Sequence, residues 1–429
     1  MSAKPSRNDS AWQALFEEQK ILEAIEREGR FYISSEIINQ ERESRLMTKF
    51  DHQVQLPRLF RDNNLSIQPV SRGGYVIGHF DSYFSLSEDR TLPEIQYFEL
   101  PSQIETIVPQ QITSESSAIL CAYLSGMLTD ILEEETLFTV FGQMSTGQFD
   151  YEIYNSRTAE GQNIAVENSQ CEIDGGFEGT SKFAIIEAKC QSVDNFIIRQ
   201  LYYPYRLWKS KTNKEIVPIL LLFSNNVFTF YVFRFCDLYQ YNSIQLKSVH
   251  RYCIGQYEIE LSDIKQVLSK IEGFEDENIA PFPQADKFVR VVDLLDKLYI
   301  HEDPLTKDVI TTEYAFNVRQ TDYYISAGIY LGLFERVQGS SGYRLTDKGR
   351  TIVTLDPKRK NLTLVKAILS HKVFNLVLRK YLANSEKPDR EEIVKIMSDN
   401  LENLNPTTIS RRAQTVEKWI DWILQLTST

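Results

Sequence analysis

The chain has 429 residues, 42% apolar and 25% charged, which predicts two or three globular domains. No apolar run approaches the ~20 residues of a membrane span, and the five scattered cysteines (121, 171, 190, 236 and 253) form no CxxC pair, which argues against a disulfide frame or a zinc ribbon. The net charge of −12 weighs against tight non-specific binding of nucleic acid, but it is uneven: from Gln284 onward 22 Lys and Arg face 19 Asp and Glu, a net +3, leaving −15 elsewhere.

The start of the chain is polar, without a signal-peptide core, so a cytoplasmic protein with reduced thiols is expected. Residues 10–30 read as one amphipathic helix with Asp9 or Ser10 as N-cap. Short alternating segments follow over 56–84, with Gly73-Gly74 marking a hairpin turn. Next come a helix over 116–135 and strands at 137–141, 147–154, 170–174 and 182–189. A helix over 194–209 opens on an Asp cap and carries Pro204, and a hairpin joins 216–223 to 227–235. This order predicts a mixed sheet flanked by helices. Residues 273–284 read as a linker. Helices at 288–299, 306–317 and 321–333 follow, then a hairpin with a Gly-Ser-Ser-Gly tip and helices to the end, the last capped by Thr407 or Thr408.

Chemistry concentrates between Cys171 and Lys189. Phosphodiester hydrolysis needs a divalent cation, carboxylates to hold it and a group that orients water. Asp174 ends one strand, Gly175-Gly176 lets the chain turn, and Glu187 and Lys189 share a face of the next strand, ~6.6 Å apart along it. A second Glu-x-Lys, Glu18-Gln-Lys20, sits on a helix where no sheet presents it. The competing reading is a surface hairpin with solvated charges, and the apolar run Phe183-Ala-Ile-Ile speaks against it. The five histidines lack metal-ligand spacing, and neither a GxxxxGK[ST] nor a GxSxG motif is present, so no nucleotide cofactor is expected.

Asp174 followed by Glu187-Ala-Lys189, within this order of elements, resembles the PD-(D/E)XK nuclease superfamily over about 115–240, with Ile173 standing where the family name has Pro. The resemblance implies Asp174 and Glu187 as ligands of Mg2+, Lys189 as the lysine that activates water or stabilises phosphate, and Gln200 as the family's glutamine on the following helix. It also implies a further acid on the first helix, with Glu133, Glu134 and Glu135 as candidates. Glu172 is a candidate spare ligand or, more simply, a rim carboxylate.

Residues 285–353 resemble a winged helix. The likeness implies that Arg319 and Gln320 read base edges and that Arg344 and Lys348 meet phosphates, unless the module serves protein contacts. Arg411 and Arg412 open a second helix-turn-helix-like unit, Trp419 and Trp422 read as core, and Arg42, Arg45, Lys49 and Arg72 are the basic candidates of the front module. The expected fold class is α/β (α+β): an N-terminal module over 1–112, a restriction-endonuclease-like core over 113–272, a winged helix over 284–356 and a helical domain over 357–429. The expected function is that of a type II restriction endonuclease acting on double-stranded DNA, a homodimer cutting both strands. The alternatives are a repair, mobile-element or methylation-directed nuclease with the same core, or a non-enzymatic DNA-binding regulator.

Overall fold

The apolar run at 216–223 becomes the interior strand of a seven-stranded mixed sheet, Glu215–Ser224, buried at every residue from Ile216 to Phe223. In the computed structural model the described residues are 6–86, 92–109, 112–255, 258–275, 280–301, 303–313, 316, 318–384, 386–401 and 404–427. They fall into two compact units. One comprises Met1–Pro101, Ser114–Phe223 and Val227–Cys253. The other comprises Ser102–Thr113, Ser224–Asn226 and Ile254–Thr429. No helix among the described residues is long and apolar enough to cross a membrane.

In the first unit the sheet runs, in spatial order, Ile95–Phe98, Ile244–Ile254, Val227–Phe235, Glu215–Ser224, Lys182–Lys189, Gln170–Glu178 and Leu137–Ser145. Lys182–Lys189 lies parallel to Glu215–Ser224, with Lys182 opposite Glu215 and Lys189 opposite Leu222. Parallel neighbours need a crossover, and the helix Arg199–Lys209 supplies it. The Trp208 ring lies 4.9 Å from that of Phe183, so this helix covers the face holding Phe183 and Ile185. The helix Glu115–Leu124 packs against Gln170–Glu178 and Lys182–Lys189, with Ile119 beside Gly175 on the other face. Asn225 and Asn226, at φ 52° and 61°, make the tight turn between Glu215–Ser224 and Val227–Phe235.

Several elements depart from the sequence reading for local reasons. The 10–30 helix is two helices, Arg7–Glu18 and Ile21–Glu28, interrupted at Lys20 (φ 51°). Its cap is Ser6, reciprocated by Asp9, rather than Asp9 or Ser10. The 116–135 helix breaks at Gly126 (φ 88°) into Glu115–Leu124 and Met127–Leu132. Asp194 caps no helix. Asn195–Ile197 is drawn into an antiparallel pair with Tyr83–Ser85, and the helix starts at Arg199, continuing through Pro204. Glu160–Glu167, which pairs with Gln148–Asn155, and Ile244–Ile254 are additional strands. The front segment forms a sheet ordered Arg30–Ser34, Gly74–Gly78, Ser66–Pro69, turning near Gly73-Gly74.

In the second unit, Phe288–Ile300, Leu305–Thr306, Lys307–Glu313, Val318–Tyr330, Phe334–Arg336 and Gly342–Leu345 follow in order, their strands forming one small sheet. The expected 306–317 helix is described only as Lys307–Glu313, and 314, 315 and 317 lie outside the described residues. Five further helices end with Pro406–Gln425, capped by Asn405 rather than Thr407 or Thr408. A single core joins this whole stretch, from Ile259 to Ile423. Part of the expected 273–284 linker belongs to it: the Phe282 ring stacks 5.6 Å from that of Phe374, while 276–279 lie outside the described residues. Trp419 is buried in this core, its indole donating to the Ala285 carbonyl at 2.7 Å.

Candidate active site

Gln170–Glu178 and Lys182–Lys189 pair antiparallel from Phe183 opposite Glu178 as far as Ile186 opposite Gly175. On its other side Gln170–Glu178 meets Leu137–Ser145, where Val140 faces Gly176 but Gly142 faces Ile173. Three steps on one strand against two on the other leave an extra residue at Asp174–Gly175, a bulge opposite Phe141. Bulges re-aim side chains, and this one sits where the ladder to Lys182–Lys189 stops. The Asp174 carboxylate then takes the place of a backbone partner: Oδ2 accepts from the Ala188 N–H at 2.9 Å, between Glu187 and Lys189 in sequence. Glycine is required beside it, because a Cβ at Gly175 would lie 2.8 Å from Phe177 and one at Gly176 2.8 Å from Val140.

Glu187 is buried and accepts from both Lys189 Nζ and Gln200 Nε2. Gln200 lies in the first turn of the crossover helix, and its Oε1 is buried without a partner among the described residues. Lys189 Nζ lies 3.8 Å from the carboxylate of Glu115, the first residue of the helix Glu115–Leu124. Asp51, from the front of the chain, acts electrostatically on both Glu187 and Lys189.

Burial pushes the Glu187 carboxyl up to about 8; Lys189 opposes this, while Asp174 and Asp51 add to it. Burial alone would lower the Lys189 ammonium, but Glu187, Glu115, Asp51 and Asp174 outweigh it and hold Lys189 protonated, above its ordinary range. Lys189 Nζ thus lies within 4 Å of Glu187 and Glu115, with Asp174 and Asp51 acting on it electrostatically, an excess of acidic groups that a bound cation would offset. Among the described residues no group of three or more His, Cys, Asp or Glu is arranged to hold an ion directly. The donor set that fits is two carboxylates with the buried Gln200 oxygen: hard ligands, few in number, suited to an ion such as magnesium that keeps several waters.

The other candidate acids lie elsewhere. Glu134 accepts from the Ser181 and Lys182 N–H groups, at 3.1 and 2.7 Å, and so ties down the turn that precedes the Glu187 strand. Glu133 lies 3.8 Å from Lys182 Nζ, while Glu135 and Glu172 are exposed. Glu115 has a faint sequence signal, following the N-cap Ser114, whereas nothing in the sequence marks Asp51.

The candidate DNA-contacting residues differ in their freedom. Arg72 is exposed and lines a cavity of about 500 Å³ with Ser71, Gly73, Ser145, Glu167 and Asn168. Arg319 is exposed and lies over the Tyr323 ring, with Gln320 half-buried beside it. Arg344 pairs across its hairpin with Glu335 at 2.7 Å. Lys348 donates to the Leu331 carbonyl at 2.9 Å and Arg412 donates to that of Phe282, so both brace their own unit. Arg411 is exposed.

Three family models match the chain, each described as a domain of unknown function: DUF6996 over residues 9–77, DUF6997 over 78–253 and DUF7226 over 290–428. No curated protein and no solved structure matches it. Asp174, Glu187, Lys189, Gln200 and Glu115 lie in the central match, and Asp51 lies in the first.

Proposed function

We propose that this chain is a magnesium-dependent endonuclease with a restriction-endonuclease-like core that hydrolyses phosphodiester bonds of double-stranded DNA. One observation carries the reading: a β-bulge turns the Asp174 carboxylate onto the Ala188 N–H, the backbone position that separates Glu187 from Lys189 on the neighbouring strand. Bound there, magnesium would polarise the phosphate and lower the pKa of a coordinated water. Asp174 and Glu187 would hold it, with Gln200 orienting Glu187 and offering its own oxygen. Lys189, ion-paired with Glu187, would stabilise charge on the phosphate or activate and orient the water.

The second unit is the proposed DNA reader, a winged helix with Arg319 and Gln320 presented from its third helix. A homodimer would bring two such centres to the two strands of a symmetric site. The experiment is digestion of plasmid DNA by the purified chain with magnesium or with EDTA. Discrete magnesium-dependent fragments are expected, and Lys189→Ala abolishes them. A wild-type chain that leaves DNA intact with magnesium and with manganese refutes the reading, and a Lys189→Ala variant that cuts normally refutes the residue assignment.

A further inference from the structure

Gln284 stands in the stretch expected to be a linker, yet it ties together two helices of the second unit. With its amide oriented by its neighbours, Nε2 donates to Tyr323 Oη at 3.1 Å. Its Oε1 accepts from Arg411 at 2.6 Å and from Arg412 at 3.1 and 3.2 Å. Tyr323 lies on Val318–Tyr330, about one turn beyond Arg319, whose Nε donates to the same hydroxyl. Arg411 and Arg412 lie near the start of Pro406–Gln425. One amide and one phenol therefore gather three guanidinium groups from two helices far apart in the chain.

None of the three has a carboxylate partner among the described residues. The acids beside this cluster in the sequence are already engaged. Asp322 pairs with Lys307 at 2.6 Å, and Asp286 accepts from Thr415 at 2.6 Å. Like charges gathered without counter-charge repel, and an arriving polyanion offsets that repulsion. Arg412 is half-buried and also donates to the Phe282 carbonyl, so it belongs to the scaffold. Arg319 and Arg411 are exposed, and their contacts leave most of each guanidinium's five donors free. Such a fork suits a phosphate or a guanine edge.

We propose that Val318–Tyr330 and Pro406–Gln425 form one composite DNA-contacting surface. Arg411 grips a backbone phosphate beside the base pair met by Arg319, and Gln284 with Tyr323 fixes the spacing of the two. This rests on the DNA-reader assignment of the second unit. It makes the last helix of the chain part of the contact with DNA as well as part of the core.

The test uses the full chain and short fluorescent duplexes of several unrelated sequences, titrated by anisotropy in EDTA over a series of salt concentrations. Arg411→Ala weakens binding to every duplex by a similar factor. It also reduces the slope of log affinity against log salt by about 0.9, the loss of one phosphate contact, with the melting temperature near wild type. In a Gln284→Ala background the same Arg411→Ala change has a smaller effect, because the arginine has lost its positioning partner. If Gln284→Ala does not fold, Arg411→Ala alone decides. Wild-type affinity and slope in Arg411→Ala overturn the proposal, as does a loss confined to one sequence with the slope unchanged, or a wild-type chain that binds no duplex. Because no cutting is needed, the two readings fail separately. Arg411-dependent binding by a chain that never cleaves with magnesium removes the nuclease alone. Magnesium-dependent cleavage with Arg411→Ala binding as wild type removes the composite surface alone.

Discussion

The sheet unit and the helical unit use charge in opposite ways. In the sheet unit, acids from a bulged strand, a helix start and the front module crowd around one lysine, and burial leaves Glu187 prone to protonation. In the helical unit the cations are mostly neutralised or built in: Lys360 pairs with Asp296 at 2.5 Å, Lys348 and Arg412 bond main-chain carbonyls, and Arg344 pairs with Glu335. Buried charge without compensation costs several kcal/mol and persists where function requires it, whereas paired charge is ordinary architecture. The contrast separates the proposed chemical centre from its scaffold without reference to any motif.

The largest effect that sharpens the contrast belongs to the scaffold. Trp419→Ala costs about 3–5 kcal/mol in a denaturant titration and leaves the magnesium half-effect concentration unchanged. Lys189→Ala acts on the centre instead: cleavage falls by about 10²–10³-fold or more, and the unfolding midpoint in EDTA also falls, because buried Glu187 loses its cationic partner. A stable Lys189→Ala chain that cuts at the wild-type rate breaks the contrast. Arg319→Ala, at an exposed position, weakens specific DNA binding by about 1–3 kcal/mol in a gel-shift titration without altering thermal stability. Lys348→Ala should behave in the opposite manner, costing about 1 kcal/mol of stability with DNA binding unchanged.

The last effect is the finest, and its sign is what matters. The folded chain raises Glu187 from near 4.5 to about 8 in the absence of a cation. The folded state therefore keeps a proton that the unfolded chain releases, and the metal-free protein loses stability as pH rises from about 4.5 to 8. Glu187→Gln abolishes that part of the decline, as thermal melts in EDTA across this range would reveal. Because magnesium displaces the same proton, its half-effect concentration should fall as pH rises toward 8 and level off above it. A flat dependence would mean that Glu187 is already ionised without metal.

The sequence by itself determined the parts that rest on local chemistry. Alternation along Phe183-Ala-Ile-Ile-Glu-Ala-Lys set a strand with Glu187 and Lys189 on one side, and helical spacing marked Trp419 as core, but the Gly-Gly pair read as a turn lies inside the strand Gln170–Glu178, and the chain turns at 179–181. Only the tertiary structure decided what depends on partners distant in the chain. Asn195–Ile197 became a strand because Tyr83–Ser85 lay ready to pair with it, Glu160–Glu167 gained its ladder from Gln148–Asn155, and the would-be linker acquired Phe282 as a core ring. Asp51 shows the limit most clearly: 136 positions separate it from Glu187, and no periodicity in the intervening sequence reports a field that exists only once both carboxylates are withdrawn from water.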